Sequence, residues 1–293
     1  MARICFSVTD KKPLVIALSL TFLMMIIEVI GGILSGSLAL LSDAGHMLTD
    51  TMALSICLLA AVFASRPATK NKTYGFYRLE ILSALFNGAI LMLIAIYIFY
   101  TAIRRIIDPV EVSGGLMLIV AIAGLAINLA GAFVLHRGSK ENLNVKGAFL
   151  HVVSDAVSSV GVVVGGLIII STGWYLIDPI LGILIGVLIL RGALSLVFES
   201  VNILLEAAPK ELDIEAVGSA IKKIKGIIDV HDIHIWTISS GNYAFSTHIK
   251  VDDILISKSD AIVAEINRLL KDRFGIVHTT LQFECETCAV HEH

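Results

Sequence analysis

The sequence predicts a polytopic α-helical membrane protein with six transmembrane helices, followed by a small cytoplasmic α+β domain of ferredoxin-like α-β-β-α-β order. Three observations carry that reading. Of 293 residues, 56% are hydrophobic and 16% charged, and mean hydropathy is +0.87, whereas about a quarter of a soluble domain is charged. Six windows of about 20 apolar residues, enough to cross a hydrocarbon core of about 30 Å, fall at Leu14–Leu34, Leu38–Phe63, Leu79–Tyr100, Gly114–Leu135, Ala148–Ile170 and Pro179–Phe198. After Glu206 charge rises, Pro209 breaks the run and apolar residues thin to amphipathic spacing. The expected division is 1–207 for the membrane part and 208–293 for the cytoplasmic part.

The basic start, with Arg3, Lys11 and Lys12, is followed by no small-residue cleavage site, and its apolar run continues to spanning length, so it reads as the first helix. Short connections make neighbouring helices antiparallel hairpins. Arg66, Lys70, Lys72 and Arg78 sit in the second connection and Arg137, Lys140 and Lys146 in the fourth, against Arg104 and Arg105 on the other side. The positive-inside rule therefore puts both termini in the cytoplasm. Trp174 and Tyr175, beside Asp178 and Pro179, read as an outer interfacial anchor. Gly161/Gly165 and Gly182/Gly186 repeat small residues at four-residue spacing, which lets helix backbones approach closely. Net charge is −3 with no basic run interleaved with aromatics, which excludes nucleic acid as a partner.

In the cytoplasmic part, "DIEAVGSAIKKIKG" puts Ile214, Val217, Ile221 and Ile224 on one helical face. "DVHDIHIWTI" and "YAFSTHIKV" alternate around "SSGN", a hairpin with an expected Gly-Asn turn. "SKSDAIVAEINRLLKDRF" is a second helix with an expected Ser-x-x-Asp cap, and "VHTTLQFE" is the last strand.

Polar residues inside the apolar spans carry the chemistry. A charged side chain at the centre of a membrane helix costs about 2.5–3.5 kcal/mol on insertion scales unless it is compensated. His46 and Asp50 stand four residues apart on the second span, about 40° and about 6 Å apart on one helical face. His151 and Asp155 repeat the spacing on the fifth. The second helix descends and the fifth ascends, so packed as neighbours they would bring His46 level with Asp155 and Asp50 level with His151. Two imidazoles and two carboxylates suit a divalent ion in tetrahedral geometry, zinc foremost. A mere interhelical hydrogen-bond network would return only about 0.6 kcal/mol per pair. Asp43, one turn outward, reads as a helix-start cap rather than an accessory ligand, and Glu28, Asn87 and Asn128 as bonds to other helices.

Of the four cysteines, only Cys285 and Cys288 lie close together; in a reducing cytoplasm that C-x-x-C, with His291 and His293 nearby, reads as metal binding rather than as a disulfide. His278, Gln282 and Glu284 share one face of the last strand by period-two alternation, while His234 stands in the opposite register from His231.

The stretches "EVIGGILSGSLALLSDAGHMLTD", "YGFYRLEILSAL", "HVVSDAVSSVGVVVGG", "DPILGILIG" and "VHDIHIW" resemble the cation diffusion facilitator family, close to its zinc-transporting branch, over nearly the whole chain. The resemblance implies a homodimer of six-helix subunits in a lipid bilayer, exchanging Zn²⁺ for protons by alternating access, with a metallochaperone-like cytoplasmic domain. It makes His46, Asp50, His151 and Asp155 the transport site, and His46 in place of an Asp found in cadmium-accepting relatives favours zinc. It also places His231, His248 and Glu284 in a cytoplasmic zinc site; His278, on the same strand face as Glu284, and the Cys285/Cys288 pair are further candidates from their own spacing, so that Zn²⁺ is both substrate and regulatory ligand. Gln282 stands where some relatives have His. Arg78 and Glu206 match a charge interlock at the family's dimer interface. Lacking the histidine-rich tract of many eukaryotic relatives, the fourth connection points to a prokaryotic cell (inner) membrane. An intramembrane zinc hydrolase would need an open coordination position and a carboxylate base, and a metal sensor would not need ligands buried in two helices. The function expected is therefore efflux transport and not enzyme catalysis.

Overall fold

The computed structural model describes residues 11–64, 69–138, 143–239 and 241–285. Two compact units emerge, one of Arg3–Val62 with Ser83–Phe198 and one of Phe63–Leu82 with Glu199–His293.

The helices α1 (Lys11–Ser35), α2 (Leu38–Ala64), α3 (Arg78–Ile107), α4 (Gly114–Gly138), α5 (Leu143–Thr172) and α6 (Ile177–Leu204) are 25 to 30 residues long. Among the described residues, Arg78–Ile107, Gly114–Phe133, Val152–Thr172 and Ile177–Leu204 are each long and apolar enough to cross a membrane. The interior of the transmembrane unit is built from Leu40, Leu91, Ile98, Met117, Val162, Ile185 and Ile189. Large apolar residues also point outward, Phe86, Leu93, Ile119 and Phe133 among them, each at least 66% exposed. Such a surface suits lipid and not water.

With no hydrophobic force separating helix contacts from lipid contacts, close approach and polar bonds hold the helices together. A Cβ on Gly165 would run into Leu181 Cδ1 of α6, and one on Gly182 would stand 3.1 Å from Leu38 Cγ of α2. Gly186 lies equally close to α3, whereas Gly161 has nothing within 4 Å among the described residues, so the four-residue repeat of α5 is used at one of its two positions.

The strongest polar bond runs between α6 and the start of α2. Asp178, fully buried, accepts from Ser37 Oγ at 2.6 Å, Leu38 N at 2.7 Å and Ala39 N at 3.1 Å. Arg105, in the last turn of α3, donates to Gly36 O at 2.5 Å and lies 3.3 Å from Asp178 Oδ2. Asp178 thus caps a helix some 140 residues away, answering orphan N–H groups and the positive end of the α2 dipole. Ser37 Oγ also accepts from Leu40 N, so the α2 cap is Ser37 with Asp178 and not Asp43. Asp43 lies well inside the helix.

In the second unit, α7 (Ile214–Ile221), β1 (Ile227–Ser239), β2 (Asn242–Val251), α8 (Ile256–Phe274) and β3 (Ile276–Glu284) give the α-β-β-α-β order. The sheet order is β1-β2-β3, antiparallel between β1 and β2 and parallel between β2 and β3. Asp213 caps α7, accepting from Glu215 N and Ala216 N, and the core joins Val217 and Ile221 of α7, Phe245 and Ile249 of β2, and Ile266 and Leu270 of α8. Two local expectations shift. Asn242 pairs with Ser239 inside the ladder, so the turn falls one residue earlier, with Gly241 at φ 78°. Helix α8 starts at Ile256 behind Leu255 with no side-chain cap, so Ser257, the expected capping serine, already lies inside the first turn. Arg78 Nη2 meets Glu206 Oε1 at 2.7 Å, both half-exposed, a pair of the kind that contributes little on its own.

Replacing Asp178 by Ala leaves buried donors of α2 and the Arg105 guanidinium without their acceptor. Loss of one partner of a buried charged network costs about 3–5 kcal/mol. The expected outcome is a clear fall in the apparent melting temperature of detergent-purified protein, larger for Asp178→Ala than for Arg78→Ala.

Candidate metal centres

The first centre lies where α2 crosses α5. His46 Nε2 stands 3.8 Å from Asp155 Oδ1, and Asp155 is 6% exposed. The level pairing of His46 with Asp155 expected from antiparallel helices is therefore present. Asp50 and His151 belong to the same two helices, four residues from His46 and Asp155 respectively, and their side chains lie outside the described residues. One turn along, Ser158 Oγ donates to Asp43 Oδ1 at 2.7 Å, a second rung between α2 and α5. Sequence reading missed Ser158 because a serine in a membrane helix carries no spacing signal of its own.

Two neighbouring polar groups behave differently from each other. Asn128 of α4 donates from Nδ2 to Ser159 Oγ at 3.4 Å, the interhelical bond expected of it. Glu28 of α1 is 2% exposed, and its Oε2 has no hydrogen-bond donor among the described residues. Asn87 Oδ1 is likewise buried and unbonded.

The second centre lies on the sheet face turned away from α7 and α8. His231 and His248 are direct partners across β1 and β2, with ring centroids 5.5 Å apart. Gln282 sits beside His248 on β3, and Glu284 one alternation further on. His231 Nε2 lies 3.5 Å from Glu284 Oε2, and His248 Nδ1 contacts Glu284 Oε1. One ligand atom from each of His231, His248 and Glu284 falls within 4.8 Å of the others. His231 Nε2, buried, has no hydrogen-bond partner among the described residues. Two imidazoles and a carboxylate with an unbonded ring nitrogen are a donor set that could hold a borderline divalent ion such as zinc. Gln282 Nε2 donates to Glu284 Oε1 at 3.3 Å, orienting the carboxylate.

A bulge on β1 corrects the register expected of His234. Three steps along β1 from His231 to His234 match two along β2 from His248 to Ser246, with Asp232 at φ 51°. Such an extra residue re-aims everything after it, so His234 returns to the face of His231. Asp232 Oδ1 lies 2.9 Å from His234 Nε2 and its Oδ2 3.6 Å from His248 Nε2. Strict alternation sends this carboxylate to the other face, so its place is not legible from spacing.

His278 pairs in register with Ala244 and sets its ring edge-on to Tyr74, centroids 6.2 Å apart; it does not join the His231 cluster. Cys285 is an exposed free thiol just past β3, and Cys288 lies outside the described residues, as do His291 and His293.

The model of the cation efflux transmembrane domain matches residues 14–205, and that of the cation efflux protein cytoplasmic domain matches residues 209–286. The chain belongs to the cation efflux, or cation diffusion facilitator, family. Over 279 residues it is 43% identical to the metal cation efflux system protein CzcD of Cupriavidus metallidurans, covering 95% of this chain and 88% of that protein. It is 44% identical over 280 residues to the cadmium, cobalt and zinc/H(+)-K(+) antiporter of Bacillus subtilis, covering 94% and 90%. With the zinc transporter ZitB of Escherichia coli identity is 45% over 281 residues, covering 95% and 89%. Family membership makes the chain a multi-pass membrane protein of a transporter family with bacterial relatives.

The convergence of His231, His248 and Glu284 predicts ligand-linked stability. Zn²⁺ at about a hundred times its dissociation constant stabilises by about 2.7 kcal/mol. Thermal unfolding of the second unit in the full chain should shift upward with Zn²⁺ and return on chelation, and His248→Ala should remove the shift.

Proposed function

We propose that the chain is a divalent metal cation efflux transporter that moves Zn²⁺ out of the cytoplasm in exchange for protons by alternating access. The observation that carries this reading is the approach of His46 to Asp155 between two apolar helices. His46, Asp50, His151 and Asp155 are the transport site, with the metal as substrate. The names of relatives more than 40% identical over nearly the full chain support metal cargo, zinc in particular, and protons as counter-ion.

The chemistry of the donors supports the coupling. Imidazole binds a metal ion only when neutral and carboxylate only when ionised, so loading expels protons and protonation weakens the site. A dication between α2 and α5 also neutralises the buried aspartates, which is why they are tolerated in an apolar span. Release needs that compensation to be exchangeable, and protons arriving from the other side supply it.

The protein works as a homodimer in a prokaryotic inner membrane with both termini in the cytoplasm, residues 1–207 transporting and 208–293 binding regulatory metal. Zn²⁺ held by His231, His248 and Glu284, with Cys285, Cys288 and His278 as lesser candidates, biases the membrane helices by favouring one arrangement of the paired cytoplasmic domains.

Expression in a zinc-sensitive cell should confer tolerance, and Asp50→Ala or Asp155→Ala should abolish it at equal protein level. In proteoliposomes, zinc flux should rise with a pH gradient directed to drive antiport and vanish when the gradient is collapsed. Flux indifferent to the gradient would overturn the coupling, and His46→Asp should shift preference from Zn²⁺ towards Cd²⁺.

A further inference from the structure

Glu28 is not accounted for by the transport site. It lies on α1 at 2% exposure with Oε2 lacking any hydrogen-bond donor. Across from it on α4 is Gly124, where a Cβ would stand 3.0 Å from Glu28 Oε1, 3.1 Å from Met24 Cε and 3.8 Å from Ser159 Oγ. Glycine therefore keeps a recess open at the α1–α4 contact, and the carboxylate fills it with the Ser159 hydroxyl close by. The charged groups acting on Glu28 are Asp43 on α2 and, more weakly, Asp155 on α5. On α4, Gly124 faces Glu28, and Asn128, four residues on, bonds Ser159.

Asp43 stands three residues nearer the Leu38 end of α2 than His46, and Ser158 three residues nearer the Thr172 end of α5 than Asp155. The Asp43–Ser158 rung is thus one helical turn beyond the His46–Asp155 rung, toward the ends expected to face outward. A buried carboxylate with an unanswered oxygen, within electrostatic reach of Asp43 and with the Ser159 hydroxyl across the Gly124 recess, has the oxygen-rich composition of a cation site.

We propose that Glu28 and Asp43, with the Ser158 and Ser159 hydroxyls, form an oxygen-only station for the divalent cation, one helical turn outward of the transport site. The inference rests on the transport reading and extends it. Oxygen ligands hold a borderline ion such as Zn²⁺ less tightly than a mixed imidazole–carboxylate set does. An ion leaving His46 and Asp155 would pass to a weaker site a few ångströms away and go from there to water. The ion is transferred whole, with no bond of the protein made or broken beyond coordination. Glu28 Oε2, unbonded among the described residues, is answered when the station fills.

The test uses full-length protein in detergent, dialysed against Zn²⁺ and analysed for bound metal, and the same variants in proteoliposomes. Glu28→Gln and Asp43→Asn should each bind about one Zn²⁺ fewer per protomer at saturation, while Glu28→Asp retains it. Gly124→Ala, whose methyl would enter the recess without removing a charge, should lower the same occupancy. Vmax for zinc should fall about tenfold or more in Glu28→Gln, with the loading-side KM changed less than about twofold. Unchanged zinc stoichiometry in Glu28→Gln and Asp43→Asn overturns the station, even if flux is lost. If Asp155→Ala abolishes flux while Glu28→Gln keeps its full stoichiometry, the station alone falls. If Asp155→Ala transports like wild type, the transport reading falls and the station with it.

Discussion

Inside an apolar helix bundle, a carboxylate has to be met by a donor or a cation, and the ways in which the buried carboxylates are met organise the transmembrane unit. Asp178 is met completely: three donors from the start of α2 and the Arg105 guanidinium converge on it, fixing α2 against α3 and α6. That network sets where α2 begins, and therefore where His46 falls along the helix. Asp43 has the Ser158 hydroxyl, and Asp155 faces His46 at a distance that leaves room for an ion. Glu28 Oε2 has no donor among the described residues. The gradient from full to absent compensation separates the carboxylate that holds the fold from those available to cargo. A group already bonded on all sides binds nothing, and one left open in a low-dielectric interior stands at a cost that a passing cation relieves.

The fold was legible in the sequence because both of its signals are local. Apolar length marks the six long helices, and alternation with turn residues marks the three strands; Ile214, Val217, Ile221 and Ile224 face the second unit's core as their spacing requires. The paired H-x-x-x-D spacings were also readable, since the antiparallel order of α2 and α5 converts sequence position into depth. What the sequence could not supply were contacts between distant positions. Asp178 looked like an interfacial residue beside Trp174, and only folding reveals that it caps a helix 140 residues earlier. Asp43 lies near enough to the start of α2 to suggest a cap, yet the Ser37–Asp178 pair already fills that role. Ser158 and Gly124 matter through what stands opposite them, which no spacing encodes.

The cytoplasmic cluster makes the same point at shorter range. Alternation puts His278, Gln282 and Glu284 on one face of the last strand, but four residues separate His278 from Gln282, and its ring meets Tyr74 instead. A single extra residue at Asp232 overrides parity on β1 and gathers His231, Asp232 and His234 around His248. Bulges re-aim side chains next to functional sites, and this one brings a carboxylate to the edge of a cluster that the strand pattern alone would have left with three donors.

The account depends on one arrangement: a divalent ion held between α2 and α5 by residues from both. Anomalous diffraction from zinc-loaded crystals of the full chain addresses it directly. The expected result is a zinc peak bonded to one nitrogen each of His46 and His151 and one oxygen each of Asp50 and Asp155, at about 2.0–2.2 Å. Zinc confined to the His231, His248 and Glu284 cluster, with no peak between α2 and α5 under saturating metal, would contradict it.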